Sequence, residues 1–215
     1  MGMKHLTFYL DVISPYAYLA FEKLPQVLQG LSYSVRYKPV LFASLLKAHG
    51  NIGPAELAAK RDWTYRHVLW LAQAQGTPMA MPAAHPFNPL ELLRLAVACE
   101  ARGQPNRWVC ETLFRHVWAQ GGSPTDPERL AELRAQLQPA DDPASEAVKA
   151  RLKANSEEAL ALGAFGVPTV AVDGKLFWGL DALPMLRDYL EGGAWFDGPD
   201  WDAAPQVPVG VRRQG

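Results

Sequence analysis

The first place in this chain where residue types and spacing could do chemistry is Ser14-Pro15-Tyr16-Ala17, directly after an apolar run. Serine caps helix N-termini by accepting a backbone N–H, and proline fits the first helical position. A helix should therefore start here, with free N–H groups and the positive end of its dipole gathered at Ser14. Such a terminus favours an anion. The serine hydroxyl can donate a hydrogen bond to a thiolate but cannot be one, and the plain role of helix cap stands beside the catalytic one. Val167-Pro168 is a second candidate. A cis X–Pro bond there would turn the backbone N–H and C=O of Val167 outward, where an extended peptide could pair with them. An ordinary strand-start proline reads equally well. Asp181, after Leu180, offers a carboxylate that could bind an ammonium group or cap the helix that follows. Lys60 and Arg61 offer cations on what could equally be a solvated helix face.

These residues need elements to hold them. Residues 5–11 are compact and apolar and read as a buried strand. Residues 16–29 carry apolar side chains at helical spacing, with Pro25 expected to kink the helix. Residues 33–40 alternate as a second strand. Helical patterns then follow at 54–75, from Asn88-Pro89 to about Arg102, and at 106–120. Asp126-Pro127 and Asp142-Pro143 open two more, the last ending near Gly163. Strand grammar returns at 167–172 and 175–178 around Asp173-Gly174, a strong hairpin signal. Residues 181–190 form a last helix closed by Gly192-Gly193, and the stretch from about Gly198 should be an extended or disordered tail.

Composition excludes several function classes. The net charge is −1 and no basic cluster is dense enough for a nucleic-acid footprint. Apolar runs are short and interrupted, so no membrane span and no secretory signal is expected, and a cytoplasmic setting is the default. The two cysteines, Cys99 and Cys110, show neither C-x-x-C nor metal-ligand spacing with histidine. They read as buried structural thiols, and no metal site is expected. His67, His85 and His116 read as surface or core histidines. Trp63, Trp70 and Trp108 read as core at helical spacing. His49 lies in a polar loop and carries no clear role.

The order β-α-β, helical block, β-β-α is the thioredoxin arrangement with helices inserted in its middle: an α/β, thioredoxin-like fold with an inserted all-helical domain. The expected division is 1–45 with 160–197 for the thioredoxin-like part, 46–159 for the insertion and 198–215 for the tail. In such folds the active group follows the first strand, where redox members carry C-x-x-C. Here both cysteines are absent from that place, so dithiol–disulfide exchange by this chain alone is excluded. The simplest repair is a thiol brought by a ligand, and glutathione is the abundant cytosolic candidate. Its thiol resembles that of cysteine, so lowering the pKa by about two units takes about 2.7 kcal/mol of preferential thiolate stabilisation. A charge-assisted hydrogen bond plus a helix terminus can supply that.

Several motifs in order carry a family resemblance: residues 11–19 (DVISPYAYL), 47–51 (KAHGN) with Pro54, Lys60-Arg61, Phe87-Asn88, 166–170 (GVPTV) and 177–181 (FWGLD). Together they resemble the 2-hydroxychromene-2-carboxylate isomerases, relatives of kappa-class glutathione transferases and of the DsbA-type fold. The resemblance spans the chain to about Trp195. It implies that Ser14 holds the glutathione sulfur and that Val167, before a presumed cis-Pro168, pairs with the cysteinyl part. It implies that Leu180 and Asp181 bind the γ-glutamyl end, and that Asn51 and Lys60 lie near glutathione and substrate. Tyr16, Lys47, Asn51 and Asn88 are the residues for the substrate side. The implied activity is a glutathione-dependent isomerisation of a small aromatic-catabolism carboxylate, in a homodimer. A kappa-like transferase and a non-enzymatic glutathione- or peptide-binding module are the alternatives.

Overall fold

A computed structural model describes residues 2–100, 102 and 104–210. Strand β1 (Lys4–Leu10) lies at the centre of a four-stranded sheet of order β2-β1-β3-β4. It pairs in parallel with β2 (Tyr33–Pro39) and antiparallel with β3 (Thr169–Val172), which turns back into β4 (Lys175–Trp178). Parallel pairing of β1 and β2 needs a crossover, and α1 (Pro15–Val27) supplies it. The β3–β4 hairpin turns at Asp173-Gly174, both with positive φ, as the two-residue turn requires.

Between β2 and β3 run α2 (Phe42–Ala48), a short 3-10 turn (Pro54–Glu56), α3 (Ala58–Gln75), α4 (Leu90–Ala98), α5 (Arg107–Trp118), α6 (Pro127–Leu137) and α7 (Glu146–Ala161). The helix α8 (Leu183–Leu190) and the short α9 (Pro199–Ala203) close the described chain. This is a thioredoxin-like fold with helices inserted between β2 and β3. The core joins both parts: Phe8 of β1, Phe21 of α1, Tyr37 of β2 and Phe114 of α5 are buried in one aromatic cluster. Each such ring contributes about 1.5–3 kcal/mol by leaving water.

Pro25 sits inside α1 and cannot donate to the carbonyl of Phe21. Arg107 of α5 donates to that carbonyl instead, at 3.3 Å, with its guanidinium 4.1 Å above the Phe21 ring.

Several expectations are corrected. The 54–75 pattern splits into a 3-10 turn and a helix that begins only at Ala58. The helix expected to run to about Arg102 ends at Ala98. The last inserted helix starts at Glu146 under a Ser145 cap. Asp142 spends its carboxylate on the nearby N–H of Ala144, one turn too early. The final sheet-side helix begins at Leu183, capped by Ala182 without a side chain, so Asp181 is not its N-cap. Trp63, Trp70 and Trp108 are 65%, 62% and 50% exposed, so they are not core. The tail is not wholly extended: α9 forms, and Trp201 packs its ring on Phe177, Trp195 and Phe196. Residues 211–215 of that tail lie outside the described chain. Among the described residues, no helix is long and apolar enough to cross a membrane.

Candidate active site

Four residues lead from β1 into α1, and each is pinned. Ser14 has extended backbone angles and caps the helix, its Oγ accepting the Ala17 N–H at 3.2 Å. The same hydroxyl donates to the carbonyl of Val167 at 3.4 Å. The Val167–Pro168 peptide is cis. Cap and cis-proline, far apart in sequence, are thus brought into contact through one hydroxyl.

Asp11 lies behind them, fully buried. Its two carboxylate oxygens accept the N–H of Ile13 at 3.0 Å and of Phe42, the first residue of α2, at 2.9 Å. Burial pushes its pKa up to about 7 although both hydrogen bonds pull the other way.

A cleft of about 740 Å³ opens in front, lined by Ser14, Tyr16, Asn51, Lys60, Asn88 and Val167 among others. Phe42, Phe87, Phe165 and Trp178 contribute aromatic faces to its walls. A second cleft of about 540 Å³ adjoins it and holds Leu180, Asp181 and Pro168. Tyr16, Val167 and Trp178 belong to both. Gly166 and Gly179 shape the junction. A Cβ on Gly166 would lie 2.5 Å from the Trp178 indole nitrogen. A Cβ on Gly179, already at φ +98°, would lie 2.4 Å from an Asp181 carboxylate oxygen. Only glycine lets the indole and the carboxylate come so close to the backbone.

The structure brings most sequence candidates together, though not all. Lys47 is exposed on α2 and lines neither cleft. Asn51 reaches the first cleft, yet its side-chain oxygen accepts the N–H of Ile52. Asn88 reaches it too, with its oxygen accepting from Leu90. The Tyr16 hydroxyl lies 2.9 Å from His67 Nδ1. Burial raises the Tyr16 pKa, and the Asp181 charge adds to the effect.

His85 was read from sequence as bland, but it forms part of the first cleft's wall. Its Nε2 lies 2.8 Å from the carbonyl of Ile13, and burial lowers its pKa. The signal available was its place beside Phe87-Asn88. Asp11 stood in the matched run without a role assigned to it. Neither cysteine competes as a nucleophile. Burial pushes the Cys99 thiol up to about 11 and the Cys110 thiol higher still. Among the described residues no group of three or more His, Cys, Asp or Glu side chains could hold a metal ion.

A thioredoxin-type sheet, a serine-capped first helix and a cis-proline loop facing that cap define a class, and the comparisons agree with it. A family model described as a DSBA-like thioredoxin domain matches residues 5–191, and the chain belongs to that family. Within the family it is similar to a 2-hydroxychromene-2-carboxylate isomerase from Pseudomonas sp. (strain C18), at 30% identity over 89% of this chain and 92% of the relative. It is also similar to glutathione S-transferase kappa 1 from Rattus norvegicus, at 28% identity over 88% and 92% of the two chains. A solved 2-hydroxychromene-2-carboxylate isomerase superposes with a TM-score of 0.74 at 25% identity, covering 92% of this chain and 98% of the other.

Proposed function

We propose that the protein is a glutathione-dependent isomerase acting on unsaturated aromatic-catabolism carboxylates, with Ser14 as the residue that holds the sulfur. One observation carries the reading. A hydroxyl, not a sulfur, occupies the leading end of α1 and faces the carbonyl of Val167, just before the cis-proline. The nucleophile must then come from a ligand. The isomerase and kappa-class relatives support the choice of glutathione and of isomerisation.

The residues present fit a zwitterionic tripeptide. Val167 offers backbone groups for the cysteinyl unit beside Pro168, and Leu180 with Asp181 offers a carboxylate for the γ-glutamyl ammonium in the second cleft. Bound there, glutathione would supply a thiol nucleophile for reversible addition to a conjugated double bond. Ser14 turns its hydroxyl from the Val167 carbonyl to the sulfur, and the start of α1 adds its dipole. The aromatic walls exclude water and seat a planar substrate. Lys60 supplies positive charge for the substrate's carboxylate and for developing enolate charge, with Tyr16, Asn51 and Asn88 beside it. Lys47, outside both clefts, has no part in this scheme. A homodimer, which rests on the family resemblance, and a cytoplasmic setting, the default from the sequence, complete the reading.

Calorimetric titration with glutathione, followed by incubation with a chromene carboxylate, tests the proposal. Binding with turnover and no net loss of glutathione is the expected result. Net consumption would favour a transferase, which the kappa-class similarity also supports. No binding would refute both. Asp181→Ala should weaken glutathione binding about tenfold, the loss of about 1.4 kcal/mol of exposed charge pairing, with saturated turnover nearly unchanged. Unchanged affinity would remove Asp181 from the site.

A further inference from the structure

The loop that presents Ser14 must satisfy three backbone carbonyls. Asp11 O accepts the Ser14 N–H at 3.1 Å. Val12 O accepts the Trp118 indole N–H at 2.8 Å. Ile13 O, the third, faces His85 Nε2 at 2.8 Å. That carbonyl belongs to the peptide unit whose nitrogen is Ser14's own, so fixing it fixes the plane from which Ser14 departs. A carbonyl can only accept, so Nε2 carries the proton. On the other side of the ring, the Tyr65 hydroxyl of α3 lies 2.8 Å from Nδ1 and 2.9 Å from the His85 carbonyl, two acceptors that compete for its one proton. The Ile13 carbonyl fixes the proton on Nε2, and the Tyr65 hydroxyl braces the ring through Nδ1 and through the His85 backbone. The ring is held between Trp118, at a centroid distance of 5.4 Å, and Tyr65, at 5.5 Å.

We propose that His85 is a positioning residue for the reaction: through the Ile13 carbonyl it holds the Ser14 hydroxyl and the first N–H groups of α1 in the direction that stabilises the thiolate. The inference rests on the glutathione reading above and deepens it. His85 acts through the loop and not on the reacting atoms. A hydrogen bond weakens steeply once its donor swings out of line. A freed Ile13–Ser14 peptide would therefore cost thiolate stabilisation before it cost the fold.

The test compares wild type with His85→Leu, His85→Gln and Tyr65→Phe. The readouts are the pKa of bound glutathione, followed by thiolate ultraviolet absorbance, and the rate of its alkylation by iodoacetamide. His85→Leu should raise the bound thiol's pKa by about one unit, a roughly tenfold loss of thiolate at a pH below both pKa values. Alkylation should slow in proportion. His85→Gln, whose amide can replace the Nε2 donor, should restore most of both, and Tyr65→Phe should cost about threefold. A His85→Leu protein that melts lower but keeps the wild-type thiol pKa would overturn the proposal. So would a glutamine variant no better than leucine or, should the leucine protein not fold, a Tyr65→Phe variant identical to wild type. A wild type that forms no thiolate with glutathione would refute the underlying reading instead, before any variant is made.

Discussion

Ser14→Ala is expected to lower glutathione-dependent turnover about a hundredfold, the factor set by a charge-assisted hydrogen bond worth about 2–3 kcal/mol. The hydroxyl has two partners, the Ala17 N–H and the Val167 carbonyl. Alanine removes both along with the proposed bond to sulfur. Loss of the cap alone costs about 1 kcal/mol of stability. For a chain of this size that is a fall in Tm of about 2–4 °C. The two effects separate cleanly, because cap loss moves Tm and the missing thiolate donor moves kcat. A Ser14→Ala protein with the lower Tm but full turnover would leave serine as a cap and nothing more. Ser14→Cys should keep a nucleophilic centre yet change the chemistry, since a protein thiol then competes with the ligand's.

Asp11→Ala should be the most destabilising single change in the site, about 4 kcal/mol. It strands two buried N–H donors, of Ile13 and Phe42, at about 1–3 kcal/mol each, and opens a void beneath Ser14. Urea unfolding measures the loss. A drop below about 1 kcal/mol would show that water or a shifted loop satisfies those donors. The same residue gives a pH signature. Burial raises its folded-state pKa to about 7 from an ordinary 3.8. Between those values the folded chain keeps a proton that the unfolded chain has released. Its contribution is complete below about pH 4 and is lost as pH climbs through about 7, an upper limit of about 4 kcal/mol. Asp11→Asn, which cannot titrate, should lack this fall. Identical pH profiles for the two proteins would contradict the assignment.

What the sequence made legible is what local chemistry decides. The strands at β1 and β2, the Asp173-Gly174 hairpin, and the caps Ser14 and Asp126 follow from periodicity and short-range hydrogen bonding. The rest depends on partners far away in the chain. Helix α2 has no side-chain cap of its own, because the carboxylate at its first N–H comes from Asp11. Helical spacing groups Trp63, His67 and Trp70 into one stripe, but it cannot say which way the stripe faces. Thr64, Val68 and Ala72 turn inward, and the tryptophans remain outside. Their rings stack on His67 instead, at 5.9 and 6.3 Å. In the tail, proline and glycine hid the one tryptophan that docks. The site shows the same division. Motifs singled out Ser14, Val167 and Asp181, and in the structure Ser14 lines the first cleft, Asp181 the second and Val167 both. Lys47 was placed with them in sequence and stands apart in space. The grip of His85 on Ile13 has no local signature at all.

The account rests on sulfur arriving with the ligand and resting at the leading end of α1. A crystal structure of the protein with glutathione tests that directly. The account predicts the sulfur within about 3.5 Å of Ser14 Oγ, the range of a hydrogen bond to sulfur, with the cysteinyl backbone along Val167 and the γ-glutamyl end beside Asp181. Glutathione bound with its sulfur turned away from Ser14, or lying wholly outside the junction of the two clefts, would contradict it.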